Sequence, residues 1–179
     1  MRINPLTQTD FYKTGHIFQY PEGTTEVYSN LTARSSKLAR VIRETFDEKI
    51  VWFGLQGFIK HFLIDVWNEG FFNRPKDEVV REYKRRLDTS LGPDAVPVEH
   101  IAQLHDIGYL PIEIKSLPEG SRVNVRVPVL TIRNTRPEAY WVVNYLETVK
   151  SNMLWKPATV ATLAFEYRRI LTRYAKMTG

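Results

Sequence analysis

Two short stretches of this chain carry side chains that could bind a flat, anionic ligand. Near the amino terminus, Tyr12 follows Asp10, and the face of a tyrosine ring can stack on a planar molecule. Further along, Arg34 follows a predicted strand, and the arginine fork binds phosphate oxygens in pairs. Residue types alone leave two alternatives open, because Tyr12 could be a packing residue and Arg34 a solvated charge.

Motifs for other common chemistries are absent from the sequence. The histidines are scattered without an HExxH pattern, which argues against a zinc site. No GxxxxGK[ST] or GxGxxG phosphate loop and no GxSxG nucleophile motif occurs. The carboxylates Glu44, Asp47 and Glu48 are interleaved with basic residues and are interpreted as a solvated segment. We therefore predict no catalytic residue and no metal ligand within this chain.

Composition sets further limits on function. The chain has 179 residues, of which 43% are hydrophobic and 25% charged, as in ordinary globular proteins. The net charge of +5 favours anionic partners such as phosphates, whereas the absence of one long basic run argues against nucleic acid. The lack of cysteine excludes disulfides and thiolate chemistry. No signal sequence or membrane-spanning segment is evident, so we expect a soluble, cytoplasmic protein.

The elements that must position Tyr12 and Arg34 are predicted from periodicity and from helix signals. Apolar residues at helical spacing, from Trp52 to Val66, predict one buried helical stripe. The other amino-terminal elements are a capped helix at Thr9–His16, a strand at Thr25–Ala33, a loop or frayed helix at Ser35–Lys49, a helix after Pro75, and a short helix at Val98–His105 that ends at Gly108.

In the second half of the chain the predicted period changes. Three strand candidates form a small antiparallel β unit, at Leu110–Leu117, Arg122–Val127 and Val129–Asn134. A capping box at Thr135 and Glu138 opens an apolar helix that is predicted to end at Pro157. A last helix follows from Thr159, with its apolar side facing inward. The order predicts an α+β fold, divided into an amino-terminal domain at 1–134 and a helical segment at 135–179.

An ordered set of short motifs resembles nicotinamide phosphoribosyltransferases. The matches run from near the start to near the end of the chain, and position 156 holds Lys where the family usually has Tyr. They are T-D-x-Y-K-x-x-H followed by Q-Y-P at residues 9–21, V-Y-S at 27–29 before Arg34, F-G-L-Q at 53–56, L-P-I-E-I-K with P-E-G at 110–120, N-T with P-E and Y-W at 134–141, E-T at 147–148, and W-x-P with T-V-A-T at 155–162.

The resemblance implies a fold and a function. It implies a mixed amino-terminal domain plus the first helices of a type II phosphoribosyltransferase α/β barrel. The family converts nicotinamide and 5-phosphoribosyl-1-pyrophosphate to nicotinamide mononucleotide and pyrophosphate with Mg2+, in head-to-tail homodimers. By this resemblance Tyr12 stacks on nicotinamide and Arg34 contacts phosphate, both across the dimer interface, whereas Asp10 and His16 have supporting roles.

The resemblance also implies that most of the active site lies beyond the position that matches Gly179. We therefore expect the chain alone to be inactive and to need a complementary carboxy-terminal half. Two alternatives remain open. One is a nicotinate phosphoribosyltransferase fragment, because the residues that distinguish the amide from the acid are outside the matched part. The other is a non-catalytic interaction or regulatory subunit.

Overall fold

The computed structural model describes residues 3–37, 39, 42 and 45–179. The chain divides into two compact units. The first contains Met1–Ser29, Gln56–Ile114 and Ile132–Lys150, and the second contains Asn30–Leu55, Lys115–Thr131 and Ser151–Gly179. The predicted loop or frayed helix at Ser35–Lys49 lies partly outside the described residues. Glu44, which belongs to the predicted solvated segment, also lies outside them. The domain boundary predicted after residue 134 stays a prediction.

The first unit is mainly helical. Its helices are 3-10 turns at Pro5–Thr7, Phe11–Gln19 and Pro137–Ala139, π-type turns at Phe58–Val66 and Asn68–Phe72, and the α-helices α2 (Lys76–Leu91), α3 (Glu99–Ile107) and α4 (Val142–Tyr145). A short α1 (Leu55–Gly57) precedes the π-type turns. Val79, Tyr83 and Leu87 of α2 are buried, as their helical spacing predicts. Gly108 ends α3 in the left-handed conformation, and this prediction is confirmed.

The predicted stripe from Trp52 to Val66 is confirmed in part. Its members Trp52, Leu55 and Phe62 are buried, whereas Ile59 and Val66 are half-buried. The helix begins only at Leu55 and then continues as π-type turns, whose i→i+5 hydrogen bonds widen each turn relative to an α-helix. A pattern read at α-helical spacing therefore predicts only part of the face that packs into the core.

Within the described part of the chain, five strands form two small sheets. Their bounds are β1 (Tyr28–Thr32), β2 (Lys49–Val51), β3 (Ile112–Ser116), β4 (Arg122–Asn124) and β5 (Pro128–Asn134). The larger sheet has the order β1–β5–β3, and β2 pairs antiparallel with β4. In that pair Ile50 lies opposite Val123. The predicted antiparallel pairing is thus present, but β4 joins β2 instead of the strands that precede and follow it in the sequence.

The last helix, α5 (Glu147–Thr178), continues through Pro157. The predicted helix end at Pro157 and the new start at Thr159 are therefore wrong. Proline removes one intrahelical hydrogen bond, and the turns on both sides keep theirs. In the second unit the Pro157 ring lies against Gly54, where an added Cβ would come within 2.7 Å of a ring carbon. Close packing thus accounts for Gly54, whereas Gly57 has open space around it.

The face of α5 that the sequence predicts to be buried is exposed in this structure. Val160, Tyr167, Leu171 and Tyr174 all have more than 40% of their surface exposed. The buried positions recur every four residues instead, at Ala158, Thr162 and Glu166. Among the residues that the structure describes, no helix is long and apolar enough to cross a membrane.

The predicted capping box at Thr135 and Glu138 is also wrong. A 3-10 turn begins there, and Arg136 at its start makes no side-chain capping bond. The local backbone is held by Asn134, whose amide nitrogen donates to the carbonyls of Thr25 and Arg136, both at 2.9 Å. The apolar segment that follows is interrupted at Leu146 between α4 and α5. This segment is buried on several faces, through Trp141, Val142, Val143, Tyr145 and Leu146, as its apolar sequence indicates.

Candidate functional site

Tyr12 lies on the 3-10 helix Phe11–Gln19 of the first unit and points away from the core. Its side chain is 61% exposed, whereas the next two residues, Lys13 and Thr14, are buried. A helix of this kind separates neighbouring residues onto different faces, so one face can be anchored while the other presents a ring. Tyr12 is therefore a surface aromatic residue on a helix whose opposite side is buried.

The residues before Tyr12 anchor this helix to the end of α4 and the start of α5. The Thr9 hydroxyl donates to the carbonyl of Tyr145 at 3.0 Å, and the Asp10 amide donates to Thr148 Oγ1 at 3.2 Å. The Thr148 hydroxyl in turn donates to the Asp10 carboxylate at 2.7 Å. The prediction that Thr9 or Asp10 caps its own helix is wrong, because both side chains bind a distant segment instead.

Next to Tyr12, the buried Lys13 side chain forms an ion pair with Glu147. Its ammonium lies 2.5 Å from Glu147 Oε2 and 5.1 Å from the centre of the Tyr12 ring. Burial lowers the pKa of Lys13, but the hydrogen bond and charge of Glu147 outweigh burial, so the pKa lies above its ordinary value. Lys13 therefore carries its charge at neutral pH and can attract both the carboxylate and the aromatic ring.

His16 also packs against Tyr12. The two rings meet edge to face, with their centres 5.0 Å apart and their planes at 63°. This geometry is favourable for aromatic pairs. The structure thus brings together Asp10, Tyr12 and His16, the three amino-terminal residues predicted for the site.

Arg34 belongs to the second unit and follows β1. It is exposed, and none of the described residues forms an ion pair with it. Arg34 lines a cavity of about 490 Å3 together with apolar side chains such as Trp52 and Leu154 and the hydroxyl residues Ser35 and Thr159. A cationic group at an accessible surface suits the contact with phosphate that the sequence predicts.

The described residues offer no set of metal ligands. No group of three or more His, Asp or Glu side chains within 3–37, 39, 42 and 45–179 could hold a metal ion. The residues of this part of the chain therefore do not fit a Mg2+ site of their own.

Sequence reasoning assigned no role to Lys13, Glu147 or Thr148, which hold the Tyr12 helix. Glu147 lies 134 residues after Lys13, so no local spacing could pair the two. The available signal was that Lys13 stands inside the first matched motif and that Glu147 and Thr148 form another. Matching motifs that are far apart in sequence can indicate residues that meet in space.

A family model described as "Nicotinamide phosphoribosyltransferase, N-terminal domain" matches residues 4–114. The chain belongs to this family. The motif resemblance found in the sequence is thereby confirmed, and the matched range includes Asp10, Tyr12, Lys13, His16 and Arg34.

Curated relatives carry the same family name. A nicotinamide phosphoribosyltransferase of Acinetobacter baylyi is 65% identical over 178 residues, which is 99% of this chain and 35% of that protein. One of Xanthomonas campestris is 31% identical over 181 residues, and covers 98% of this chain and 34% of its own length. The chain thus spans about a third of the length of these relatives.

A solved structure shares the fold. The crystal structure of human nicotinic acid phosphoribosyltransferase matches 87% of this chain and 27% of its own chain, with a TM-score of 0.59 and 22% sequence identity. The predicted α+β class, with small antiparallel sheets and the fold of a type II phosphoribosyltransferase, is confirmed. At this identity the likeness concerns the fold alone.

Proposed function

We propose that this chain is part of a nicotinamide phosphoribosyltransferase that works in NAD salvage. The complete enzyme would convert nicotinamide and 5-phosphoribosyl-1-pyrophosphate to nicotinamide mononucleotide and pyrophosphate. The observation that carries this proposal is the 65% identity over nearly the whole chain to a relative with that name. Both bacterial relatives compared above are named for nicotinamide, which favours the amide over nicotinate as the base.

The proposed role of Tyr12 is to stack on the nicotinamide ring. Its exposure leaves a ring face open to a flat ligand, and its helix is anchored by Lys13 and Asp10. Stacking holds the base in one plane, which lowers the entropy that must be lost before reaction. Because an exposed ring cannot enclose a ligand alone, we propose that Tyr12 completes a pocket of a second subunit in a homodimer.

The proposed role of Arg34 is to contact a phosphate group of the ribosyl substrate or product. The reaction passes through an oxocarbenium-like centre while pyrophosphate departs, so fixed positive charges at the phosphates stabilise the transition state. Arg34 is exposed and has no ionic partner among the described residues, which leaves its guanidinium accessible to a phosphate from solvent. Its contact would also be made across the subunit interface.

The remaining parts of the reaction are proposed to come from other residues of the complete enzyme. These are the second aromatic that stacks on the base, the groups that bind Mg2+ and most phosphate ligands. We accordingly propose that the chain by itself is inactive, and that the complete enzyme acts in the cytoplasm.

The test is a direct assay of nicotinamide mononucleotide and pyrophosphate. It compares the purified chain with a complemented enzyme, in which the chain is fused to the part of the Acinetobacter baylyi relative outside the matched 178 residues. We expect turnover by the complemented enzyme and none by the chain. With nicotinamide and nicotinate in competition, product from nicotinamide should dominate. Exclusive use of nicotinate, or no turnover by a folded complemented enzyme, would contradict the proposal.

A further inference from the structure

A connected group of polar side chains in the first unit lies next to Tyr12. Lys13 is one residue from Tyr12, and its side chain is only 2% exposed. The same ammonium group contacts the Glu147 carboxylate at 2.5 Å and lies 5.1 Å from the centre of the Tyr12 ring. One buried cation therefore links the exposed ring to the first residue of α5.

A second connection runs in parallel to this ion pair. Asp10 and Thr148 exchange two hydrogen bonds, one from the Asp10 amide and one from the Thr148 hydroxyl. Asp10 lies two residues before Tyr12, and Thr148 lies one residue after Glu147. The backbone before Tyr12 and the side chain after it are thus both attached to the first turn of α5, which restricts rotation of the short 3-10 helix.

The arrangement is asymmetric in a way that suits positioning. Lys13 is buried, whereas the Glu147 side chain is 52% exposed. A lysine that served only to solubilise the surface would point into water, and burying it costs free energy unless the charge is satisfied. Here the Glu147 carboxylate and the face of the Tyr12 ring satisfy the Lys13 charge. Because Glu147 fixes the position of the ammonium, the ammonium in turn favours one position of the ring.

We propose that Lys13 and Glu147 are positioning residues that hold the Tyr12 ring in the orientation required for stacking on the base. This inference rests on the proposed function for its substrate, but its structural part concerns the chain alone. Neither residue need touch the substrate. Their loss should weaken capture of the pyridine base and leave the phosphate contacts unchanged, because Arg34 lies in the other unit.

The structural arm of the test follows the contact between the Tyr12 and His16 rings by NMR, with tyrosine and histidine labelled in the purified chain. The wild-type chain should show the contact, since the ring centres are 5.0 Å apart. Lys13→Met and Glu147→Gln should weaken it, and Lys13→Arg should retain most of it. Glu147→Gln changes a half-exposed side chain and serves if Lys13→Met fails to fold. An unchanged contact in Glu147→Gln would overturn the inference.

A matched control separates positioning from general loss of an ion pair. Lys76 and Asp106 form an ion pair at 2.8 Å in the same unit, with no contact to Tyr12. Lys76→Met should leave the contact between the Tyr12 and His16 rings unchanged. If Lys76→Met weakened that contact as much as Glu147→Gln does, the effect would be nonspecific and the inference would fail.

The kinetic arm uses the complemented enzyme. Lys13→Met should raise KM for nicotinamide about 3- to 10-fold, the range expected for one cation–ring interaction, with kcat and KM for the ribosyl substrate within about twofold. Tyr12→Ala provides the reference. If Tyr12→Ala raises KM for the base and Lys13→Met does not, positioning is wrong while the proposed function stands. If the wild type makes no product, the proposed function fails, and the NMR arm still decides the positioning.

Discussion

The two compact units bury charge in opposite ways. In the second unit a carboxylate is buried, because Glu166 is 0% exposed while its partners Arg122 and Arg169 remain partly exposed. In the first unit two lysines are buried, because Lys13 and Lys150 each have only a small exposed fraction, while Glu147 is half exposed. In the second unit the negative partner of the ion pairs is thus buried, and in the first unit the positive partner is buried.

The buried carboxylate is fully engaged. The Arg169 guanidinium contacts both oxygens of Glu166 at 3.0 Å, and Arg122 lies 3.6 Å from one of them. Arg122 also binds both oxygens of Asp47, and this bond holds the pKa of Asp47 below its ordinary value. By contrast, Lys150 forms no hydrogen bond or ion pair through its ammonium group with any described residue. One unit therefore contains a closed network, and the other contains a buried cation without a direct partner.

The largest expected effect comes from breaking the closed network. Glu166→Leu should destabilise the chain by about 3 kcal/mol, because two guanidinium groups lose a buried partner. Urea unfolding followed by circular dichroism measures the loss. Glu138→Gln provides the control, since Glu138 pairs with Arg136 at an exposed site and surface pairs contribute little. Equal stability of Glu166→Leu and the wild-type chain would show that the network does not stabilise the second unit.

The next effect concerns a buried group of the first unit that stays neutral. His100 is buried against Trp141, and burial lowers its pKa to about 4 from an ordinary 6.5. The unfolded chain therefore binds the proton more readily, so stability present above pH 6.5 is lost as the pH falls toward 4. Between pH 7.5 and pH 5 the loss should be about 2 kcal/mol.

Comparison of His100→Leu with the wild type checks this assignment. The variant should lose less stability between pH 7.5 and pH 5 than the wild type does. His61→Asn is the control, because His61 is exposed and its removal should leave the acid sensitivity unchanged. If His100→Leu shows the wild-type acid profile, another group causes the acid sensitivity.

The contrast between the units also explains which features the sequence could predict. The Tyr12 helix, strands β1, β3, β4 and β5, and the stop at Gly108 depend on neighbouring residues, and local pattern indicated each of them, whereas β2 was not predicted. The contacts of Asp10 and Lys13 join residues more than 130 positions apart, and nothing in either segment specifies the partner. Motif resemblance could thus nominate Tyr12 as a candidate site residue, whereas the contacts that hold its helix could not be predicted.

Two failures of prediction have a different cause. Local rules end a helix at Pro157, which is wrong, and assume α-helical spacing after Trp52, which predicts the burial of Leu55 and Phe62 but not the partial exposure of Ile59 and Val66. Gly54 leaves room for the Pro157 ring, so α5 can continue. The π-type turns place Phe58 and Trp67 in the core at a wider spacing than the rule assumes. Whether a helix continues through a proline, or adopts π-type turns, depends on the residues that pack against it.

An exposed cation should behave differently from both buried clusters. In the complemented enzyme, Arg34→Ala should raise KM for the ribosyl substrate about 10- to 100-fold, the range for loss of a charged hydrogen bond. Arg34→Lys should recover only part, because an ammonium cannot form the paired contact. Stability should hardly change, since Arg34 has no ionic partner among the described residues. Unchanged KM with reduced stability would reassign Arg34 to folding.

The smallest effect tests the buried cation that lacks a direct partner. Burial lowers the pKa of Lys150 below its ordinary 10.5, although the charge of Glu147 partly offsets burial. The folded state therefore disfavours the proton that the unfolded chain binds, and this penalty decreases as the pH rises toward 10.5. Replacing Lys150 by Met keeps an unbranched side chain and removes the charge. We expect Lys150→Met to stabilise the chain by about 1 kcal/mol at pH 7.

The pH dependence distinguishes this cause from better packing. If the penalty is electrostatic, the advantage of Lys150→Met over the wild type should shrink between pH 7 and pH 10, as measured by urea unfolding. Lys156→Met is the control, because Lys156 is exposed on the same helix. A constant advantage across this range would mean that Met fills space better. A destabilised variant would mean that Lys150 has a favourable partner, and the contrast between the two units would then disappear.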